Sequence, residues 1–140
     1  MTVTSRAKQV LVRVDKCGIF AKEGEEHSLT ARWRGIWANI SAVMAPSVRR
    51  GAVRGVFVGD ELKGLAPADL NAVAGAIRGS LDGLRTGHSG APIVYYNEAG
   101  PHAIKEEFKV PAALTHLSID DYGLNASSLR SVYQGAAPEL

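Results

Sequence analysis

The chain is short of cysteine, since Cys17 is the only one among 140 residues. It can therefore form no intrachain disulfide and no four-cysteine zinc site. It also lacks an excess of either charge: 16 Lys and Arg against 14 Asp and Glu give +2, which by itself predicts no polyanionic partner. No apolar run approaches the ~18 residues that span a bilayer, and residues 1–15 lack the apolar core of a secretion signal. We therefore expect a cytoplasmic protein, or one packed inside an assembled particle, with no membrane partner.

The composition is that of a folded protein. Hydrophobic residues make up 46% and charged residues 21%, too apolar a balance for a disordered chain. The length suits one domain, so we predict a single α+β domain over residues 1–140, with residues 1–7 and 136–140 as extended tails.

Hydrophobic periodicity predicts the elements. Alternation over residues 10–14 and a β-branched run over 52–58 predict strands, and residues 92–110 predict an antiparallel hairpin around "NEAGP". One helix is expected from an N-cap at Ser28 to a stop at Pro46, and a second from Pro67 to Gly87. "KEGEEHS" is interpreted as a polar turn, and residues 125–135 as a short C-terminal helix. The expected fold is a mixed or antiparallel sheet of about four strands covered by two long amphipathic helices.

Both long helices are predicted to carry a bulky stripe and, on the opposite side, a stripe of small residues. The bulky stripe of the first helix is Trp33, Ile36, Trp37, Ile40, Val43 and Met44. We call the opposite stripes the small faces, and their candidate interface residues are Ala31, Gly35, Ala38 and Ala42 in the first helix and Ala72, Gly75, Gly79 and Gly83 in the second. Because glycine inside a helix costs roughly 1 kcal/mol relative to alanine, a compensating contact is expected.

Three interpretations of the small faces are open at this level. They can be ordinary solvent-facing surface, they can pack on each other inside the monomer, or they can contact another chain. In the third case close approach of the backbones multiplies the dispersion contacts.

The hexamer "GHSGAP", residues 87–92, suggests a different function. It resembles the nucleophile loop of trypsin-like serine proteases at Gly87, Ser89, Gly90 and Pro92. The resemblance implies that Ser89 is a nucleophile with His27 as base and Asp60 as orienting group, in the order of roles of that family.

Two features depart from the protease pattern. Position 88 is His where the family usually has Asp or Asn, and position 91 is Ala where it usually has Gly. The proteases are also built from two antiparallel barrels, whereas the residues before the hexamer predict a long helix. The hexamer is therefore interpreted as a helix C-cap followed by a tight loop, with positive φ at Gly87 and Gly90.

A basic cluster suggests nucleic acid as a further alternative partner. It consists of Arg32, Arg34, Arg49, Arg50 and Arg54. Since Trp33, beside it, belongs to the apolar stripe, base stacking would compete with core packing. A solvated face or the rim of a protein interface is the preferred interpretation.

No metal site or cofactor is predicted. The four histidines fall on different predicted elements or loops and form no His-x-x-x-His pair: His27, His88, His102 and His116. The sequence therefore favours a non-enzymatic subunit that binds itself or another protein, such as a particle component or a small inhibitor. A Ser89 hydrolase and a nucleic-acid-binding module are the alternatives.

Overall fold

The computed structural model describes residues 9–85, 87, 90–99 and 109–120. The strands and helices of this part are β1 (Val10–Arg13), β2 (Phe20–Glu23), β3 (Glu26–Leu29), α1 (Trp33–Arg49), β4 (Val53–Asp60), α2 (Pro67–Leu84), β5 (Ile93–Ala99) and β6 (His116–Asp120). In this part of the chain neither helix is long and apolar enough to cross a membrane.

The main sheet has four parallel strands in the order β1-β4-β5-β6. All its strands run in the same direction, so their carboxyl ends meet at one edge and their amino ends at the other. Helix α1 lies in the connection from β1 to β4, and α2 connects β4 to β5. Strands β2 and β3 form a separate antiparallel hairpin between β1 and α1. Ligands of open parallel sheets bind outside the carboxyl edge.

Both helices pack on the same face of the sheet. Val56 and Val94 on the central strands are fully buried, as are Val73 and Ile77 of α2. Trp37 of α1 is 4% exposed and joins the same core cluster. One hydrophobic core therefore lies between the sheet and the helical layer.

An aromatic pair lies on the other face of the sheet. Phe57 and Tyr95 are register partners on β4 and β5, and their rings stack with centroids 4.9 Å apart. The guanidinium of Arg13 on β1 lies 5.1 Å from the centroid of Phe57. Arginine and the two rings thus form a ladder across three strands.

Part of the expected fold is confirmed. The chain has mixed helix and strand content, with a four-stranded sheet and two long helices. Helix α2 begins at Pro67, where the missing N–H costs nothing, and ends at Leu84.

The expected type of sheet is wrong, because every described pair in the main sheet is parallel. The "NEA" segment was expected in a hairpin loop, yet Asn97 and Glu98 lie inside β5 and are 5% and 4% exposed. Strand β5 pairs with β4 and β6, so it is an interior strand rather than one arm of a hairpin. Polar residues that are hydrogen-bonded inside a sheet have the same sequence pattern as a turn.

The expected bounds of the first helix are also wrong. Ser28 lies in β3 rather than at a helix N-cap, and α1 begins at Trp33 after Arg32, which makes no side-chain cap bond. Pro46 lies inside α1, which continues to Arg49. Pro46 and Ala42 are both exposed, so water can satisfy the Ala42 carbonyl that the proline leaves without a backbone donor. The turn expected at residues 22–28 is the β2–β3 hairpin.

The predicted C-terminal helix at 125–135 and the predicted tails lie outside the described residues.

Candidate functional site

The outer surface of α1 carries no charge over most of its length. Residues 35–48 contain no charged side chain. Within that stretch Gly35, Ala38 and Ala42 are exposed, as is Ala31 just before the helix. No heavy atom of the described part of the chain, apart from the neighbouring helix backbone, lies within 4 Å of a Cβ built on Gly35. The first small face is therefore open surface in the monomer.

The glycines of α2 are open in the same way. Gly75, Gly79 and Gly83 are all exposed, and a Cβ built on each has no described neighbour within 4 Å outside the local helix backbone. Ala72 differs, because it is half-buried and packs against the core. The glycine positions of the two helices are therefore not packed on each other in the described structure, and the helices meet through other side chains.

Three large hydrophobic side chains are exposed in the described residues. Val43 on α1 is 82% exposed, and Val10 and Leu11 on β1 are 51% and 42% exposed. Val43 was predicted in the bulky stripe that faces the core, and that placement is wrong. It lies seven residues after Ile36, on the flank of the stripe, where the helix surface turns from the core to solvent. Val43 therefore extends the uncharged outer surface of α1.

Of the three residues of the proposed catalytic triad, the structure describes His27 and Asp60. His27 lies on β3, and its backbone N–H donates to the Lys63 carbonyl just after β4. Asp60 is the last residue of β4 and so lies at the carboxyl edge. Ser89 lies outside the described residues.

The five arginines of the predicted basic cluster are distributed over two ends of the helical layer. Arg32 and Arg34 lie at the start of α1 and Arg49 and Arg50 at its end. The 17 residues of α1 place these two groups about 25 Å apart. Arg54, near the start of β4, lies at the same edge as the second group.

Trp33 does not offer a free ring for stacking. It is 6% exposed, and the guanidinium of Arg34 lies 4.5 Å from the ring centroid. A nucleic acid that contacted Arg34 would therefore meet a cation already placed on this ring rather than an open aromatic platform.

A polar network occupies the carboxyl edge of the sheet, and the sequence interpretation missed it. The Asn97 side-chain N–H₂ donates to Asp60 Oδ1 at 2.7 Å and to Asp120 Oδ2 at 2.8 Å. Ser118 Oγ donates a short hydrogen bond to Asn97 Oδ1. One amide thus bridges carboxylates from the ends of β4 and β6. The sequence signal for this network was an acidic residue at the end of β4 and another at the end of β6. That signal indicates a shared site only if the strands are parallel, and the sequence interpretation had the strand direction wrong.

Arg13 and Asp15 extend the network at the end of β1. Arg13 Nε and NH2 donate to the two Asp15 oxygens at 2.7 and 2.6 Å, and Arg13 NH2 lies 3.7 Å from Asp60 Oδ2. Burial by itself raises the pKa of Asp15, but the hydrogen bonds and charge of Arg13 outweigh it and hold that pKa below its ordinary value. Asp15 is therefore a buried carboxylate kept ionised by a two-point arginine contact.

Within the described ranges no three His, Cys, Asp or Glu side chains are grouped so as to hold a metal ion. At the carboxyl edge the oxygens are instead engaged by Asn97 and Arg13. The network therefore joins the ends of the strands through hydrogen bonds.

Comparisons of the chain with protein-family models, with curated proteins and with solved structures find no match.

Proposed function

We propose that this chain is a non-enzymatic protein-binding or assembly subunit whose contact surface is centred on the outer face of α1. We call this surface the α1 face and define it by Gly35, Ala38, Ala42 and Val43. One observation carries the proposal: a surface without charge over residues 35–48 holds a valine side chain that is 82% exposed.

The composition of the α1 face is typical of an interface core. Charged residues are depleted in the buried centres of protein interfaces, and a single exposed valine between small residues can enter a shallow recess on a partner. The small residues also let a partner backbone come close, which increases the dispersion contacts per unit length. Arg34 and Arg49 flank the uncharged stretch, in the way that charged residues form a rim.

The open glycines of α2 support the same proposal. Gly75, Gly79 and Gly83 each weaken the helix by roughly 1 kcal/mol relative to alanine, about 3 kcal/mol together. Nothing in the described monomer occupies the space beside them. A partner that packs closely on this side would offset that cost.

The first partner to test is a second copy of the chain, because most soluble oligomers are symmetric homo-oligomers. The native mass of the purified chain is measured by light scattering after size exclusion, for the wild type, for Val43→Glu and for the control Ser28→Glu. Ser28 is exposed on β3 and is not part of α1 or α2, so the control adds the same charge at a site outside the proposed surface. A multiple of 14.8 kDa is expected for the wild type and the control, and 14.8 kDa for Val43→Glu.

Gly79→Leu separates an interface from ordinary surface. In a solvated helix this change raises helix propensity, so the monomer gains on the order of 1 kcal/mol of stability. If the side is a contact surface, the leucine prevents close approach and the native mass or the complex is lost. A wild type that is monomeric alone and in a gently lysed host extract contradicts the proposal. So does an esterase or peptidase activity that Ser89→Ala abolishes.

A further inference from the structure

A buried arginine without a full set of acceptors lies at the amino edge of the sheet. Arg85 follows α2 directly and is 6% exposed. Its NH2 group donates a long hydrogen bond of 3.4 Å to the Gly90 carbonyl. Among the described residues no acceptor reaches Nε or NH1 of this side chain. Three of its five N–H donors are thus buried and unpaired, which protein interiors rarely tolerate.

A second guanidinium lies against the same loop residue. Arg54 of β4 approaches Gly90 so closely that a Cβ there would lie 2.8 Å from Arg54 NH2. Gly90 also has a φ of 85°, a conformation that disfavours a side chain. Glycine at this position of "GHSGAP" therefore provides both the turn and the space for Arg54. The sequence interpretation explained the turn and placed Arg54 in the basic cluster, but it did not connect the two.

The two side chains form a concentration of positive charge. Burial lowers the pKa of Arg85, and the charge of Arg54 lowers it further, although Asp82 acts in the opposite direction. Asp82 lies at 3.9 Å from Arg78 Nε, in an ion pair along α2. The carbonyl groups at the C-terminal end of α2 carry partial negative charge, which helps to explain why cations are tolerated here. None of these carbonyls accepts a hydrogen bond from Nε or NH1 in the described structure.

We infer that Arg54 and Arg85 form a binding site for a phosphate group at the Gly90 loop. An oxyanion supplies the acceptors that Arg85 lacks, and guanidinium groups bind such anions through several N–H donors at once. The positive charge of Arg54 beside Arg85 favours a phosphate monoester or inorganic phosphate over a carboxylate, because a dianion is attracted to a positively charged site more strongly than a monoanion is. Gly90, whose carbonyl accepts from Arg85, is itself exposed, as is Ala91. This site is separate from the α1 face and does not depend on the proposed function.

The test is calorimetric titration of the full chain with inorganic phosphate at constant ionic strength. Acetate, a phosphate monoester and a short single-stranded oligonucleotide are titrated in parallel. The variants are Arg54→Gln, Arg85→Lys and the control Arg50→Gln. Arg50 is exposed at the same edge, so its variant makes the same change in net charge as Arg54→Gln without touching the site. Arg54 is only half-buried, so Arg54→Gln keeps the test decisive if Arg85→Lys does not fold.

Saturable binding of phosphate and of the monoester is expected for the wild type and for Arg50→Gln. Arg54→Gln and Arg85→Lys should each weaken it by about tenfold or more, as the loss of a charged hydrogen-bond donor predicts. Any of four results overturns the inference: no saturable phosphate binding by the wild type, equal weakening in Arg50→Gln, acetate binding as tight as phosphate, or binding of the oligonucleotide without binding of phosphate.

Discussion

The indole N–H of Trp37 donates to Ser80 Oγ at 3.0 Å and joins the two helices of the layer. Trp37 is 4% exposed, so its N–H has little access to water. A buried indole N–H needs a partner, and a serine on α2 provides one without adding bulk between the helices. Together with the shared hydrophobic core, this contact joins α1 to α2.

Ser80→Ala should lower the free energy of unfolding by about 1–2 kcal/mol. The change leaves the Trp37 N–H buried without an acceptor, which costs more than the gain in helix propensity from alanine returns. Urea unfolding followed by tryptophan fluorescence measures it. Ser41→Ala on α1 is the matched control, since Ser41 is half-buried and takes no part in this contact. Equal effects of the two changes would show that the hydrogen bond contributes nothing.

Elements with regularly spaced apolar residues were predicted well. Elements whose position depends on which strands pair with each other were not. Helix α2 begins at Pro67 as predicted and ends at Leu84, three residues before the predicted stop, because Pro67 and the run of leucine, valine and isoleucine are local signals. The direction of β5 is not local. It follows from the helical crossover before it, and the polar residues Asn97 and Glu98 in the middle of the sheet concealed that it is an interior strand.

The candidate surfaces were predictable to different degrees. Helical periodicity placed Gly35, Ala38 and the α2 glycines on the side opposite the bulky stripe, and the structure has them exposed. It could not show that Val43 joins them, because a residue on the flank of a stripe is assigned by the packing of its neighbours. Nothing in the sequence pattern distinguishes Arg85 from the other arginines. Its burial beside Arg54 arises from a contact between a helix end and a strand start that no sequence period encodes.

The contact between Arg13 and Asp15 predicts a dependence of stability on acid. The pKa of Asp15 is lowered in the folded protein, so its contribution is complete above about pH 4, the ordinary pKa of an aspartate, and is lost as the pH falls through the lower folded value. In Arg13→Met the hydrogen bonds and charge of the arginine no longer offset the effect of burial, so the pKa of Asp15 rises. The loss of stability between about pH 4 and pH 2 should shrink, and stability at pH 7 should fall.

Urea titrations of wild type and Arg13→Met at a series of pH values measure this difference. Lys16→Met serves as control, because Lys16 is 78% exposed and its Nζ lies 3.9 Å from the same carboxylate without a hydrogen bond. The control should keep the wild-type profile nearly unchanged. Parallel profiles for wild type and Arg13→Met would show that Arg13 does not set the ionisation of Asp15.

Tyr96 connects the middle of the sheet to the loop after β4. Its hydroxyl accepts from the Leu62 backbone N–H at 3.1 Å and donates to Glu98 Oε2 at 3.1 Å, and the residue is 1% exposed. Burial, together with the nearby charge of Glu98, raises the pKa of Tyr96 far above its ordinary value. The hydroxyl is therefore a permanent donor and acceptor in the folded state.

Tyr96→Phe should cost about 2 kcal/mol near pH 7, because the buried Leu62 N–H loses its acceptor and Glu98 loses a donor. The wild type should also lose stability above about pH 10, where tyrosine ionises in the unfolded chain but stays protonated in the fold. Without the hydroxyl that alkaline loss diminishes. Urea unfolding from pH 7 to pH 11 checks both effects, with Tyr95→Phe as control, since it keeps the ring that stacks on Phe57. If the free energy of unfolding falls as steeply at alkaline pH in Tyr96→Phe as in the wild type, a group other than Tyr96 causes the alkaline loss.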